Sequence, residues 1–318
     1  MRAVRIHEPG EADALSVDEV ETPDPGPGEV RVEAAAVGVN PVDAAMRTGA
    51  FPVPDSPHVP GTDVAGRVVA AGADAGFEPG DRVWATALGH DRPGTYAEEV
   101  IVPADRAAPL PDGVGFDEAA ALGLVGATAW RALVVRGDLD PAETALVHGG
   151  AGGVGHVAVQ LASAAGARVC ATARDRYAAA LRDLGAEAVV DYRHDDVAAA
   201  VREAVGAVDV AVETLAEEQL ATDAAVAGSG ARALVVGNRA DDARLRSVGL
   251  AKARELDVRF VGVFNTPDVA GVLDRLAYLV TSGRLAPTVA GRYDLADAAA
   301  AHRRLEEESF LGKLILEP

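Results

Sequence analysis

The residues of this chain with the clearest chemical purpose are glycines. The run His148-Gly149-Gly150-Ala151-Gly152-Gly153-Val154-Gly155 contains G-x-G-x-x-G at Gly150, Gly152 and Gly155. The three differ in what they permit. Gly150 allows a tight turn, Gly152 lets the backbone approach a pyrophosphate, and Gly155 lets a helix lie close to a strand. The pattern means little alone in a chain with 34 glycines, so its flanks carry the argument. Upstream, Thr144-Ala145-Leu146-Val147 reads as a buried strand. Downstream, Val154, Val157, Ala158, Leu161 and Ala165 fall on one helix face. Such a strand–turn–helix places free amide groups and the positive end of the helix dipole before an anion. Gly150, Gly152, Gly153, Val154 and Gly155 are therefore candidate dinucleotide ligands.

Other reactive side chains give little. The single cysteine, Cys170, lies in the apolar run Val169-Cys170-Ala171 and reads as a small core residue, so neither a disulfide framework nor a multi-cysteine zinc site is available. The seven histidines (7, 58, 90, 148, 156, 194 and 302) show no paired metal-ligand spacing and read as solvated or structural. No G-x-S-x-G is present for a serine hydrolase, and the glycine loop lacks a Walker lysine. Gly228-Ser229-Gly230 reads as a flexible turn before a strand.

The elements that must position the loop follow from periodicity. The first 120 residues are broken by turn formers such as Pro23–Gly28 and Pro79-Gly80-Asp81, with β-rich runs at Val30–Val37, Val64–Ala71, Arg82–Ala87 and Ala97–Val102. From about Phe116, strand and helix patterns alternate. Strands are expected at Ala145–His148, Arg168–Ala173, Ala188–Asp191, Val208–Glu213, Ala231–Gly237 and Arg259–Phe264, with a helix at 176–184. This is the pattern of an α/β, doubly wound parallel sheet of Rossmann type. Helices follow at Val269–Ser282 and Leu295–Glu307, and a final strand at Lys313–Leu316 is expected to return to the first domain. The expected boundaries are 1–120 with 267–318 for a mostly β domain, and 121–266 for the dinucleotide-binding domain.

Composition narrows the class. The 318 residues are 49% hydrophobic but only 4% aromatic, as in an Ala/Val/Leu-built globular protein. The net charge of −20 repels polyanions, so no nucleic-acid partner is expected. No signal-like start and no apolar run of membrane-spanning length are read, so a cytoplasmic protein without a membrane partner is expected. Lys252 and Lys313 are the only lysines among 29 basic residues, which fits either a GC-rich coding sequence or salt adaptation.

Several motifs occur in order: Gly38-Val39-Asn40-Pro41-Val42-Asp43, Pro60-Gly61-Thr62-Asp63-Val64-Ala65-Gly66, Pro79-Gly80-Asp81-Arg82-Val83, Gly94-Thr95-Tyr96-Ala97-Glu98, Ala127-Thr128-Ala129-Trp130, the glycine loop, and Leu184-Gly185-Ala186 with Val190-Asp191-Tyr192. Over the whole chain this set resembles the zinc-independent medium-chain dehydrogenase/reductases, in the quinone oxidoreductase (zeta-crystallin-like) branch. The resemblance implies a GroES-like catalytic domain beside the Rossmann domain. Zinc alcohol dehydrogenases of the same superfamily carry a cysteine near Asn40-Pro41, Gly-His-Glu in place of Gly61-Thr62-Asp63, and a four-cysteine lobe. All are missing here, so neither the catalytic nor the structural zinc is expected.

By resemblance, Asn40 lies near the nicotinamide and the substrate carbonyl, as the candidate catalytic residue. Thr128 contacts the nicotinamide side, and Tyr192 the adenosine end. Val236, Gly237 and Asn238, with Phe264 and Asn265, line the nicotinamide pocket. Asp43 and Asp63 hold the cleft by hydrogen bonds. After the second Rossmann strand, Arg174, with Arg176 beside it, suits the 2′-phosphate of NADPH, while Asp175 keeps NADH open as the lesser alternative. Met46 stands where the family often has a tyrosine, so the proton donor is unassigned. The activity implied is hydride transfer to a quinone or an α,β-unsaturated carbonyl. The alternatives are an enone or enoyl-thioester reductase of a biosynthetic pathway and a non-catalytic NADPH-binding protein. A homodimer is expected through the open edge at Arg259–Phe264.

Overall fold

The computed structural model describes residues 1–240 and 242–318. By chain contacts these form two compact units, residues 1–127 with 266–318, and residues 128–265.

In the first unit, β1 (Arg2–Ile6) and β2 (Leu15–Glu19) form an antiparallel pair. β3 (Glu29–Val39) leads through Asn40 into α1 (Pro41–Thr48). β4 (Asp63–Ala71), β5 (Arg82–Ala85), β6 (Glu99–Pro103), β7 (Ala107–Pro109) and α2 (Phe116–Trp130) follow. β3 is the hub: β4 pairs along one side of it, and β6 and the C-terminal strand share the other. Its alternation is that of a half-buried strand, with Val30, Val32, Ala34 and Ala36 buried and Arg31 and Glu33 turned outward. The buried set is aliphatic throughout, with Val4, Val37, Val64, Val83, Val100, Leu314 and Leu316 packed together.

In the second unit, β8 (Thr144–Val147), α3 (Gly153–Ala164), β9 (Arg168–Thr172), α4 (Ala178–Asp183), β10 (Ala188–Val190), α5 (Val197–Val205), β11 (Val208–Glu213), α6 (Ala216–Val226), β12 (Ala227–Val235), α7 (Val248–Ala253) and β13 (Asp257–Phe260) alternate. The strands make one parallel sheet in the order β10-β9-β8-β11-β12-β13. The order reverses between β8 and β11, the topological switch point at which doubly wound sheets bind ligands. β8 and β9 are buried apart from Arg168, as strands covered on both faces must be.

The chain then completes the first unit with α8 (Val269–Thr281), β14 (Val289–Asp294), α9 (Ala298–Glu307) and β15 (Lys313–Glu317). β15 lies between β14 and β3, so the last strand does leave the nucleotide sheet.

Three sequence expectations need correction. The turn expected at Gly228-Ser229-Gly230 lies within β12. Partner registers jump there from Val208↔Ala227 to Val210↔Arg232, and the surplus residues are taken up as a bulge. The sixth strand is Asp257–Phe260 rather than Arg259–Phe264, and Phe264 sits in a one-turn helix, Val263–Asn265. A helix long and apolar enough to cross a membrane does exist: α2 continues through a π-helical segment to span Phe116–Arg136. Of its most apolar 18-residue window, 72% is buried inside the protein, as in a core helix.

Candidate functional site

In the second unit, every sequence-predicted ligand except Thr128 lies after the carboxyl end of a sheet strand. The glycine loop follows β8, Arg174 follows β9, Tyr192 follows β10, Val236–Asn238 follow β12, and Phe264 and Asn265 follow β13. Thr128 is buried on α2. This edge is where the parallel sheet opens at its switch point.

The loop is held by its own backbone. The Gly150 amide donates to Thr172 O at 2.8 Å and the Gly152 amide to Gly149 O at 2.8 Å, before α3 begins at Gly153. Gly149 has φ of 63°, a left-handed conformation that favours glycine. At Gly155 a Cβ would meet Gly149 C and Gly150 Cα at 2.8 Å, so the close crossing of helix and turn requires a residue without one. At Gly152 a Cβ would meet only Gly149 O, at 3.3 Å. Packing explains Gly155, whereas the space a Cβ would take at Gly152 is open. The cradle thus fits a pyrophosphate.

Beyond β9 the Arg174 Nε donates to the Tyr192 hydroxyl at 2.8 Å. Arg176 lies over the Tyr177 ring at 4.8 Å and donates to its hydroxyl at 2.7 Å. Arg193 is neutralised by Asp191, whose carboxyl its hydrogen bonds hold far below the usual carboxylate range. Arg174 by contrast meets a phenol, an uncharged partner that leaves its positive charge able to take a phosphate. Asn238 is exposed, its amide donating to Ala240 O at 3.1 Å. The Val236 amide donates to Glu213 O, and Gly237 O receives the Ala216 amide.

Beneath the loop lies a cluster of which the sequence reading singled out only His148, as solvated or structural. His148 Nε2 is 2.9 Å from Asp223 Oδ1, and its Nδ1 is 3.2 Å from the Thr172 hydroxyl, which also receives the Gly149 amide at 3.2 Å. The ligand atoms of His148, Glu213 and Asp223 lie within 4.8 Å of one another, and all three residues are buried. Burial pushes the Glu213 carboxyl up to about 7 against the His148 charge, with Asp223 adding to the rise. Burial pushes the His148 imidazole down, but the carboxylates of Asp223 and Glu213 outweigh it and leave the net shift upward. The only sequence signal was an ionisable residue in the last position before a phosphate loop.

In the first unit Asn40 sits at the centre of a second buried network. Its amide Nδ2 donates to Thr62 Oγ1 and Asp63 Oδ2, both at 2.8 Å, and its Oδ1 accepts from Lys313 Nζ at 2.5 Å. Its backbone amide donates to Asp43 Oδ2 at 2.8 Å, closing the first turn of α1. Asp63 also accepts from Thr86 Oγ1 at 2.6 Å and from the Leu124 amide at 2.7 Å. The Tyr96 hydroxyl bridges Asp43 and His302 at 3.2 and 2.9 Å. Asn40 is fully buried with every polar atom of its side chain engaged. Asn40, expected near the nicotinamide and the substrate carbonyl, thus has its side chain taken up by Thr62, Asp63 and Lys313. Asp43 and Asp63 do act through hydrogen bonds. Lys313 was missed because it lies 273 positions away in sequence.

Burial raises the Asp43 carboxyl to about 7 against the pull of the Lys313 charge. It likewise raises Asp63 and depresses Lys313. His302 falls to about 3, through burial and then the nearby Arg47 charge. None of these groups offers a thiolate, and the Cys170 thiol is driven up to about 12 by burial in β9 and by Glu187.

Comparison with known proteins agrees with this geometry. A family model described as "Alcohol dehydrogenase GroES-like domain" matches residues 26–112, and one described as "Zinc-binding dehydrogenase" matches residues 184–316. The quinone oxidoreductase of Mus musculus is 33% identical over 99% of this chain and 97% of that protein. A component of the phenolphthiocerol/phthiocerol polyketide synthase of Mycobacterium tuberculosis is 32% identical over 98% of this chain, matching 14% of that protein. Among solved structures, a protein described as an NAD-dependent alcohol dehydrogenase superposes with a TM-score of 0.93 at 31% identity, and the quinone oxidoreductase of Escherichia coli complexed with NADPH with 0.91 at 28%. Each match covers the whole of both chains. With these full-length relatives, a GroES-like domain, a Rossmann sheet and no thiolate ligands, the chain belongs to the zinc-independent quinone oxidoreductase branch of the medium-chain dehydrogenase/reductase family and is an oxidoreductase.

Proposed function

We propose that the protein uses NADPH to reduce a quinone or an α,β-unsaturated carbonyl without zinc. The observation that carries this is the pairing of an open glycine cradle at the switch point with Arg174 and Tyr192 on the neighbouring strand ends. When bound, the nicotinamide would supply the hydride, which goes to the quinone or to the β-carbon of the enone. A proton from solvent completes the hydroquinone or saturated carbonyl. The chain's own contribution is positional. Amides at the α3 start would hold the pyrophosphate, and Arg174 and Arg176 would meet the 2′-phosphate. The NADPH-complexed relative supports this cofactor, while the NAD-dependent one makes it the point to test.

The test is oxidation of NADPH and of NADH against a panel of quinones, enones and enoyl thioesters. The expected result is turnover of quinones or enones with kcat/KM at least about tenfold higher for NADPH. Equal efficiency with NADH overturns the Arg174 argument. Turnover confined to enoyl thioesters establishes instead the alternative that the polyketide synthase relative favours. Binding without turnover on any acceptor overturns the proposed reaction. We also propose a cytoplasmic homodimer formed through β13, which ends the sheet with Phe260 73% exposed, and light scattering measures its mass directly.

A further inference from the structure

We propose that His148, Glu213 and Asp223 act as a proton-holding positioning cluster for the glycine loop, so that dinucleotide binding takes up a proton. This rests on the loop being a dinucleotide site.

The connection is direct. Gly149, the first residue of the turn, donates its amide to Thr172 Oγ1, and that oxygen is also the partner of His148 Nδ1. With a neutral imidazole protonated at Nε2, the chain runs one way. The Gly149 amide donates to the Thr172 oxygen, the Thr172 hydroxyl to His148 Nδ1, and His148 Nε2 to Asp223. With an imidazolium, Nδ1 becomes a donor, the Thr172 oxygen receives two donors, and its hydroxyl must turn elsewhere. One added proton thus reverses a hydrogen bond that touches the loop backbone. His148 O is tied as well, accepting from Thr214 Oγ1 at 3.3 Å.

A second observation calls for a proton. Glu213 Oε2 and Asp223 Oδ2 are buried with no hydrogen-bond partner, and ligand atoms of the two carboxyls lie within 4.8 Å, so a proton on one of them relieves their repulsion. Among the described residues, the neighbouring elements supply no further charge to the cluster. From β9 the uncharged Thr172 hydroxyl faces it, and from β11 Glu213 and the Thr214 hydroxyl. From α6 comes Asp223, while Glu217 of that helix is turned to the Arg239 amide. On α3 the ionisable residue is His156, which contacts Gly152 O. Glu213, raised to about 7, places a titration near neutrality, and the two carboxylates raise the proton affinity of His148 beside it. An anionic pyrophosphate arriving at the loop favours the more positive state, so binding draws a proton in. By linkage, affinity falls as pH rises through the titration of the free protein.

The experiment is calorimetric titration of the full chain with NADPH and with NADH, at about pH 7 in buffers of different ionisation enthalpy, for the parent and for Glu213→Gln and Asp223→Asn. NADH lacks the 2′-phosphate, whose own titration would otherwise enter. The expected result is uptake of up to about one proton by the parent with either ligand. Its Kd should rise toward about tenfold per pH unit above neutrality, and both effects should fall by at least half in a folded variant. Binding of both ligands with no proton uptake by the parent overturns the inference and leaves the dinucleotide reading standing, whereas failure of both to bind sinks both. Uptake undiminished in the folded variants also overturns it, as does stoichiometric metal in the parent that Glu213→Gln loses.

Discussion

Replacing Gly155 by alanine tests whether packing or ligand approach dictates each glycine of the loop. A Cβ there would lie 2.8 Å from Gly149 C and Gly150 Cα, about 0.7–1.2 Å inside the optimal carbon–carbon separation of about 3.5–4.0 Å. These contacts are backbone, so the turn itself must move. Overpacking of this kind costs about 1–3 kcal/mol. Alanine's helix propensity returns up to about 1 kcal/mol, as Gly155 is in the first turn of α3. With the full return the net expected loss is up to about 2 kcal/mol, read as a lower denaturant midpoint. NADPH affinity should drop at least about tenfold, because the displaced Gly149 and Gly150 carry the cradle. Gly152→Ala is the control. With φ of −71° and a single contact at 3.3 Å, it should leave stability within about 0.5 kcal/mol while cutting affinity at least about tenfold. The reasoning is refuted if Gly155→Ala keeps parent stability and affinity, or if Gly152→Ala binds NADPH like the parent.

Arg174→Ala should weaken NADPH binding by about tenfold or more, the weight of one charge-assisted hydrogen bond, and leave NADH unaffected; fluorescence titration of both cofactors reads the difference. Lys313→Met should destabilise the fold by about 3–5 kcal/mol, because it strips the cation from buried Asp63 and Asp43; urea unfolding measures it, and a loss below about 1 kcal/mol contradicts the network. Asp43 is raised to about 7 in the folded chain against about 3.9 unfolded, so the native state holds a proton that the unfolded state releases between these values. Its contribution is therefore full below about pH 4 and lost as pH rises through about 7, with a slope of up to about 1.4 kcal/mol per pH unit. Asp43→Asn should flatten that slope in unfolding experiments between about pH 4.5 and 7, and an unchanged slope counts against the assignment.

The parts of the fold written locally were legible in the sequence. The glycine loop is a statement about backbone room, and Val208–Glu213 is a run buried except at Asp209, whose observed bounds match the expected ones. Places where the chain departs from regular pairing were not legible. The β12 bulge depends on a register with β11 that no local window contains. The sixth strand was misplaced because Phe260 and Phe264 look alike in sequence, yet one ends a strand and the other lies in a single helical turn. The length of α2 was missed because its apolar stretch carries charged residues near both ends. In the site, Asn40 was visible as a residue but not its saturation by Thr62, Asp63 and Lys313. Those partners are distant in sequence and meet only through the pairing of β3 with β4 and β15.

The seat of β15 between β14 and β3 also orders events during synthesis. The nucleotide unit ends at Asn265, so its sheet can close while the chain is still being made. The first unit, although translation begins with it, must wait for residues 313–317 before the Val37–Val39 end of β3 gains its second neighbour and Lys313 reaches Asn40. Until then Asp43 and Asp63 have no cation. A nascent chain arrested after residue 265 would thus carry a finished nucleotide fold joined to an unfinished sheet with an open strand edge, a form with reason to meet a chaperone.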